Sequence, residues 1–164
     1  MKITQALLDK LTEEAKASPR LRMNYDLRNS DQDQSQRMLN AIEPGSPLPI
    51  HRHTKSSETV VCLRGRLVWE FYQEVSSSKF NFVDFCHDSA KQVNLMSLAA
   101  PKVQDSGSMT KVDEVELSPN GPVVALNIPI GQWHTVRALE SGSVILETKD
   151  GAYRPLQDDE VLHR

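Results

Sequence analysis

Apolar side chains at Ile3, Leu7, Leu8, Leu11 and Ala15 alternate with charged ones at the spacing of a helix turn, predicting a helix over residues 3–17. Pro19 lies just beyond it, where a helix should already have ended. A second, shorter helix is expected over 33–42, capped by Asp31 or Asp33 and carrying Met38, Leu39 and Ile42 as its apolar stripe. Pro44-Gly45 then closes it. From position 48 the pattern changes to short β-branched and aromatic runs. These are Thr59–Leu63, Leu67–Tyr72, Phe80–Phe85, Val112–Leu117, Val123–Ile128, Gln132–Arg137 and Val144–Thr148. Arg64-Gly65-Arg66 between the first two reads as a hairpin turn, and Ser-, Asn-, Pro- and Gly-rich segments separate the others. Many short strands with no helical period between them predict an antiparallel barrel or sandwich. Residues 87–111 are ambiguous, compatible with a strand in part and with a mobile loop at Gln104–Ser108.

At 164 residues the chain is expected to form one structural domain, with 1–45 as a helical extension packed on a β-barrel of 46–164. It needs neither disulfides nor a structural metal merely to fold, so any metal must be argued from its ligands. A net charge of −3 and the lack of a long basic run argue against nucleic acid as partner. The longest stretch free of charged residues, Leu117–Val136, holds Pro119, Pro122 and Pro129, which excludes a bilayer-spanning helix there. Leu7, Leu8 and Leu11 are interrupted by charges and form no signal-peptide core. With only Cys62 and Cys86, the chain is expected to be cytoplasmic with reduced thiols.

The chemistry concentrates in four residues. His51-Arg52-His53 on a predicted strand puts both imidazoles on one face. Glu58 follows at the start of the next strand, and His134 comes much later, after the Pro129-x-Gly131 turn. Singly, each reads as an ordinary solvated or hydrogen-bonded side chain. Together, three imidazoles and a carboxylate from separate strands are the donor set of a divalent-metal site with room for a further ligand. The ion is one of Zn, Fe, Mn or Ni, all of which accept these donors.

The spacing Gly45, five residues, His51-x-His53, four residues, Glu58, six residues, Gly65 resembles the first motif of the cupin superfamily, G(X)5HXH(X)3-4E(X)6G, at every fixed position. Pro129-x-Gly131-x-x-His134 is similar to the second motif, G(X)5PXG(X)2H(X)3N, although Val123 stands at its first Gly and Ala138 at its Asn. Neither departure removes a ligand. Further segments resemble the WbuC family of cupin fold metalloproteins. They are Arg22–Leu27, Arg37–Ala41, Leu63–Leu67, Gly131–Thr135 and Leu146–Tyr153, which together span most of the chain. The resemblance implies a mainly β, cupin-type jelly-roll barrel with one or two N-terminal helices, associated with lipopolysaccharide O-antigen gene clusters. It implies no particular reaction.

Strand parity places Val60 and Cys62 on the side of Glu58, makes Trp69 a candidate pocket wall, and turns Trp133 away from His134. Tyr25, Arg66, Trp69 and Tyr153 are the candidate substrate-binding residues; Arg22, Asn24, Arg64 and Lys149 also suit a sugar hydroxyl or phosphate at the barrel mouth, though singly each reads as solvated surface or a rim salt bridge, and Glu147 or Tyr25 would be the general base. Three function classes follow. The first is a metal-dependent protein acting on a sugar, sugar phosphate or nucleotide sugar in surface-polysaccharide synthesis, for instance an isomerase. The second is a mononuclear iron dioxygenase of a small organic substrate, and the third a non-catalytic metal- or sugar-binding module. A jelly roll's open edges and apolar face also predict a homodimer.

Overall fold

The computed structural model describes residues 1–75 and 108–162, and all statements of structure refer to these. Helix α1 spans Gln5–Ala17; the Thr4 hydroxyl accepts from Leu7 N–H at its start, and the chain turns extended at Ser18. Eight strands follow: β1 Arg22–Asp26, β2 Ser35–Ile42, β3 Glu58–Arg64, β4 Leu67–Glu74, β5 Met109–Leu117, β6 Ala125–Ile128, β7 Trp133–Ala138 and β8 Ser143–Asp150. They form two antiparallel sheets, ordered β1-β2-β8-β3-β6 and β5-β4-β7. The fold is a mainly β jelly roll with one N-terminal helix. Contacts divide the chain into one unit of Met1–Gln73 with Lys111–Arg164, which holds everything discussed below, and a second of Glu74–Thr110. The predicted strand Phe80–Phe85, Cys86, and most of the 87–111 segment lie outside the described residues.

The helix expected over 33–42 is instead β2, hydrogen-bonded on both edges. Met38, Leu39 and Ile42 fit a helical stripe, but tertiary pairing overrides it. Leu39 and Ala41 face α1 with Leu8, Leu11, Ala15 and Val144, whereas Ile42 faces the core with Val60, Cys62, Trp69 and Ile145. Both faces of β2 are covered, so its alternation of apolar and polar residues is blurred. Asp33 caps no helix: its carboxylate accepts from Asn29 N–H and Ser35 N–H and pairs with Arg37 at 2.6 Å, closing the loop before β2.

The Arg64-Gly65-Arg66 turn does not make a hairpin. It carries the chain from β3 in one sheet to β4 in the other. Gly65 has φ +79°, and a side chain there would collide with the side chain and backbone of Ser143. Across the β3–β8–β2 face that looks toward the second sheet, register places Glu58 opposite Lys149, Val60 opposite Glu147 and Asn40 opposite Ile145. That polar row sits at one end of an otherwise apolar core.

Candidate metal centre

His51 and His134 are brought together by the backbone. Each donates its amide N–H to the other's carbonyl, at 2.9 and 2.8 Å, forming an antiparallel bridge outside the regular strands. Gly131, with φ +82°, turns the chain into β7 and donates to His53 O at 2.8 Å, which fixes the third imidazole relative to this bridge. The histidine pair is therefore not on a regular strand, as its alternation suggests. Only His51 is bridged, yet both rings reach the same place, with centroids 5.1 Å apart, and His134 lies 4.4 and 5.9 Å from them. Glu58, at the start of β3, closes the group with Oε2 3.0 Å from His53 Nε2 and 3.9 Å from His134 Nε2. One donor atom from each of the four residues lies within 4.8 Å of the others.

The orientation of these donors bears on what they can hold. His51 Nδ1 donates to Pro49 O (3.2 Å) and His134 Nδ1 to Gln132 O (2.9 Å). Each ring is thereby set in the tautomer whose free Nε2 lone pair faces inward, as metal-binding imidazoles require. His53 Nε2, Glu58 Oε2 and His134 Nε2 are buried and make no aligned hydrogen bond. Buried polar atoms with unused hydrogen-bonding capacity are costly, and three aimed at one point fit a cation between them.

The electrostatics agree. Burial, reinforced by His134, pushes the His51 imidazole down to about 3, against the opposing pull of the Pro49 carbonyl and Glu58. Burial likewise lowers His134. Burial alone would raise Glu58, but contact with His53 and the charges of Lys149 and His134 outweigh it and hold the carboxylate at about 2. The cluster is thus two neutral imidazoles beside an ionised carboxylate over the whole physiological range.

Sequence reasoning named Glu147 as a general base and Lys149 as a ligand contact, but did not place them, or Asn40, behind Glu58. Lys149 Nζ lies 3.3 Å from Glu58 Oε2 and 2.5 Å from Glu147 Oε1, and Asn40 Nδ2 donates to Glu147 Oε2 at 2.8 Å. Burial opposes the Lys149 charge, but Glu147 and Glu58 raise its pKa above the usual lysine value. Glu147 is itself raised, by burial and by the Glu58 charge. Glu160 was missed. Fully buried, it accepts from Thr54 N–H and Oγ1 and pairs with Arg154, while its carbonyl accepts from Arg52 N–H. It ties the C-terminal segment to the His51–His53 loop.

A cavity of about 180 Å³ has Glu58, His134 and Trp69 at its buried end and Arg20 and Asn24 at its exposed end. A second, of about 380 Å³, meets His51 and His53 from another side and is lined by Lys55, Lys149 and Tyr153. Of the candidate substrate residues, Trp69 lines the first cavity and Tyr153, under the Arg28 guanidinium, the second. Tyr25 and Arg66 line neither; Tyr25 is exposed on β1, and Arg66 is ion-paired to Glu116 and Glu140. Trp133 faces away from the cluster with Arg52 stacked on it at 4.5 Å. Cys62 is a free, buried thiol in the core. Among the described residues, no helix is long and apolar enough to cross a membrane.

Residues 3–82 match the family described as Domain of unknown function (DUF6016). No curated protein matches the chain in sequence. Among solved structures it is similar to an oxalate oxidase in complex with the substrate analogue glycolate (10% identity, TM-score 0.52), covering 84% of this chain and 55% of that one. It is also similar to KdgF from Halomonas sp. (11% identity, TM-score 0.45), covering 84% of each chain. A third similarity is to the Cnp3 cupin domain of Schizosaccharomyces pombe (8%, TM-score 0.46), covering 79% of this chain and 61% of that one. The chain spans about half the length of the oxalate oxidase it matches. At 10% identity and a TM-score of 0.52, the likeness to the oxalate oxidase shows the fold alone.

Proposed function

We propose that this protein is a metal-binding cupin that holds one divalent ion, Zn, Fe, Mn or Ni, through His51, His53, Glu58 and His134, and binds a small oxygen-bearing molecule beside it. The observation that carries this reading is the convergence of four donor atoms, of which His53 Nε2, Glu58 Oε2 and His134 Nε2 are buried and make no aligned hydrogen bond. When bound, such an ion polarises a carbonyl or lowers the pKa of a bound water. The chain's own residues prepare the site. The Pro49 and Gln132 carbonyls fix the imidazole tautomers, and burial keeps His51 and His134 unprotonated and ready to bind. Lys149 balances the charge of Glu58 and Glu147, so the carboxylate remains a ligand without repelling its neighbour. Trp69, Ile42, Ile145 and Val136 form an apolar wall that limits water around the ligand.

The resemblance to the WbuC family supports a sugar derivative of surface-polysaccharide synthesis as the molecule bound. The Asn24, Asn40 and Glu147 side of the cavity suits hydroxyl groups. Metal analysis of protein purified without added metal tests the reading. About one ion per chain is expected, lost in His51→Ala and in His134→Ala. Metal content that survives both substitutions would overturn it.

A further inference from the structure

We propose that the ligand of the 180 Å³ cavity is a small organic anion whose carboxylate or phosphate docks on Arg20 and Arg22 at the mouth, its other end reaching the histidine–glutamate floor. The floor end rests on the metal reading above; the arginine end stands on separate observations. Arg28, Arg37, Arg64, Arg66, Arg137 and Arg154 each pair with a carboxylate. Arg20 and Arg22, although they line the cavity, have no ion-pair partner among the described residues. In a chain of net charge −3, with acidic groups plentiful, two such arginines on one cavity are informative.

The pair is also built rather than loose. Arg22 Nη1 donates to Pro47 O at 2.6 Å and lies 3.4 Å from Ser46 Oγ, while Ser46 Oγ donates to Arg20 O at 2.9 Å. Neutral acceptors thus hold the Arg22 head without cancelling its charge. Between the two arginines Leu21 has φ +53°, a left-handed conformation that leucine avoids. It is held there by its own N–H on Ser18 O and by Glu43 N–H on its carbonyl, each at 2.9 Å. Burial and the charge of Arg20 both lower Arg22 from its ordinary value, a strain that a bound anion relieves.

Guanidinium pairs recognise carboxylate and phosphate through forked, charge-assisted hydrogen bonds. The cavity is smaller than the ~300–1,000 Å³ common for drug-sized ligands, so the anion is short. Its walls, apolar at Ile42, Trp69 and Val136 and polar at Asn24, Asn40 and Glu147, favour a chain hydroxylated along one side.

Isothermal titration with inorganic phosphate, succinate and glutarate, with metal content measured on every sample, tests this and separates phosphate from carboxylate recognition. Saturable binding of at least one probe is expected. Arg20→Gln should weaken it, and the Arg20→Gln, Arg22→Gln double variant should weaken it by about ten-fold or more, with metal content unchanged. Lys55→Gln, in the second cavity, should leave it intact. Arg20 is exposed and its side chain supports nothing else, so the single variant keeps the test valid should the double variant misfold. Failure of all three probes to bind, equal affinity in the arginine variants, or loss confined to Lys55→Gln would overturn the proposal. If wild-type protein carries no metal, the metal reading fails, yet the phosphate arm still decides: a ten-fold loss in the arginine variants sustains the anion site, and equal affinity overturns it.

Discussion

Burial of His51 as a neutral imidazole makes the metal-free protein acid-sensitive in a window set by that residue. Its pKa is about 3 when folded and 6.5 when unfolded, so between these values the unfolded chain binds a proton that the folded chain does not. Stability from His51 is therefore fully present above pH 6.5 and is lost as the pH falls toward 3. At 1.36 kcal/mol per pH unit, the loss between pH 7.5 and pH 5 is about 2 kcal/mol. His134, also lowered, adds to it in the same direction. Glu58, held at about 2 against an ordinary 4.5, contributes only below pH 4.5 and does not confuse the comparison. Urea unfolding of chelator-treated protein at pH 7.5 and pH 5 measures the difference. His51→Gln, which carries no titrating group there, should shrink it by about 2 kcal/mol. Glu147, raised by burial and by Glu58, opposes this loss on acidification, so the difference between wild type and His51→Gln is the readout; an undiminished loss in His51→Gln would refute the burial of a neutral imidazole.

Two further substitutions probe the scaffold around the site. Gly65→Ala adds a Cβ against Ser143 at φ +79° and should cost about 2–4 kcal/mol, seen as a melting temperature lower by roughly 5–15 °C; an unchanged melting point would contradict the tight β3–β4 crossing. Glu160→Ala leaves Thr54 N–H, Gln157 N–H and Arg154 without their acceptor and should cost about 3 kcal/mol, with a weaker metal affinity because the His51–His53 loop loses its anchor; calorimetric metal titration checks the second effect, and wild-type affinity would contradict the anchoring role.

The four converging residues were legible in the sequence because imidazoles and carboxylates at fixed intervals are rare, and because Gly131 and Pro129 mark the turn that delivers His134. The place of their polar support was not. Asn40, Glu147 and Lys149 lie on strands, where an isolated polar residue ordinarily faces water; only the register of β3 with β8 and of β8 with β2 shows that they point inward. Glu160 sits beyond the last regular strand, in a segment without periodicity, and its partners Thr54 and Arg154 are 106 and 6 positions away. The helix assigned to 33–42 failed because β2 is covered on both faces, which removes the period-two signal. The hairpin at Gly65 failed for a different reason. The turn residue was correctly identified, but a local turn does not specify whether the next strand stays in the same sheet. The pairing of Arg20 with Arg22 across a left-handed Leu21 has no counterpart in the hydrophobic pattern.

The central claim is that one ion sits among three imidazoles and one carboxylate. X-ray absorption at the edge of whichever metal co-purifies tests it most directly. The account predicts a first shell of about three histidine nitrogens and oxygen donors at roughly 2.0–2.2 Å, with the imidazole scattering diminished in His134→Ala. A shell containing sulfur, or one made of oxygen alone, would contradict it.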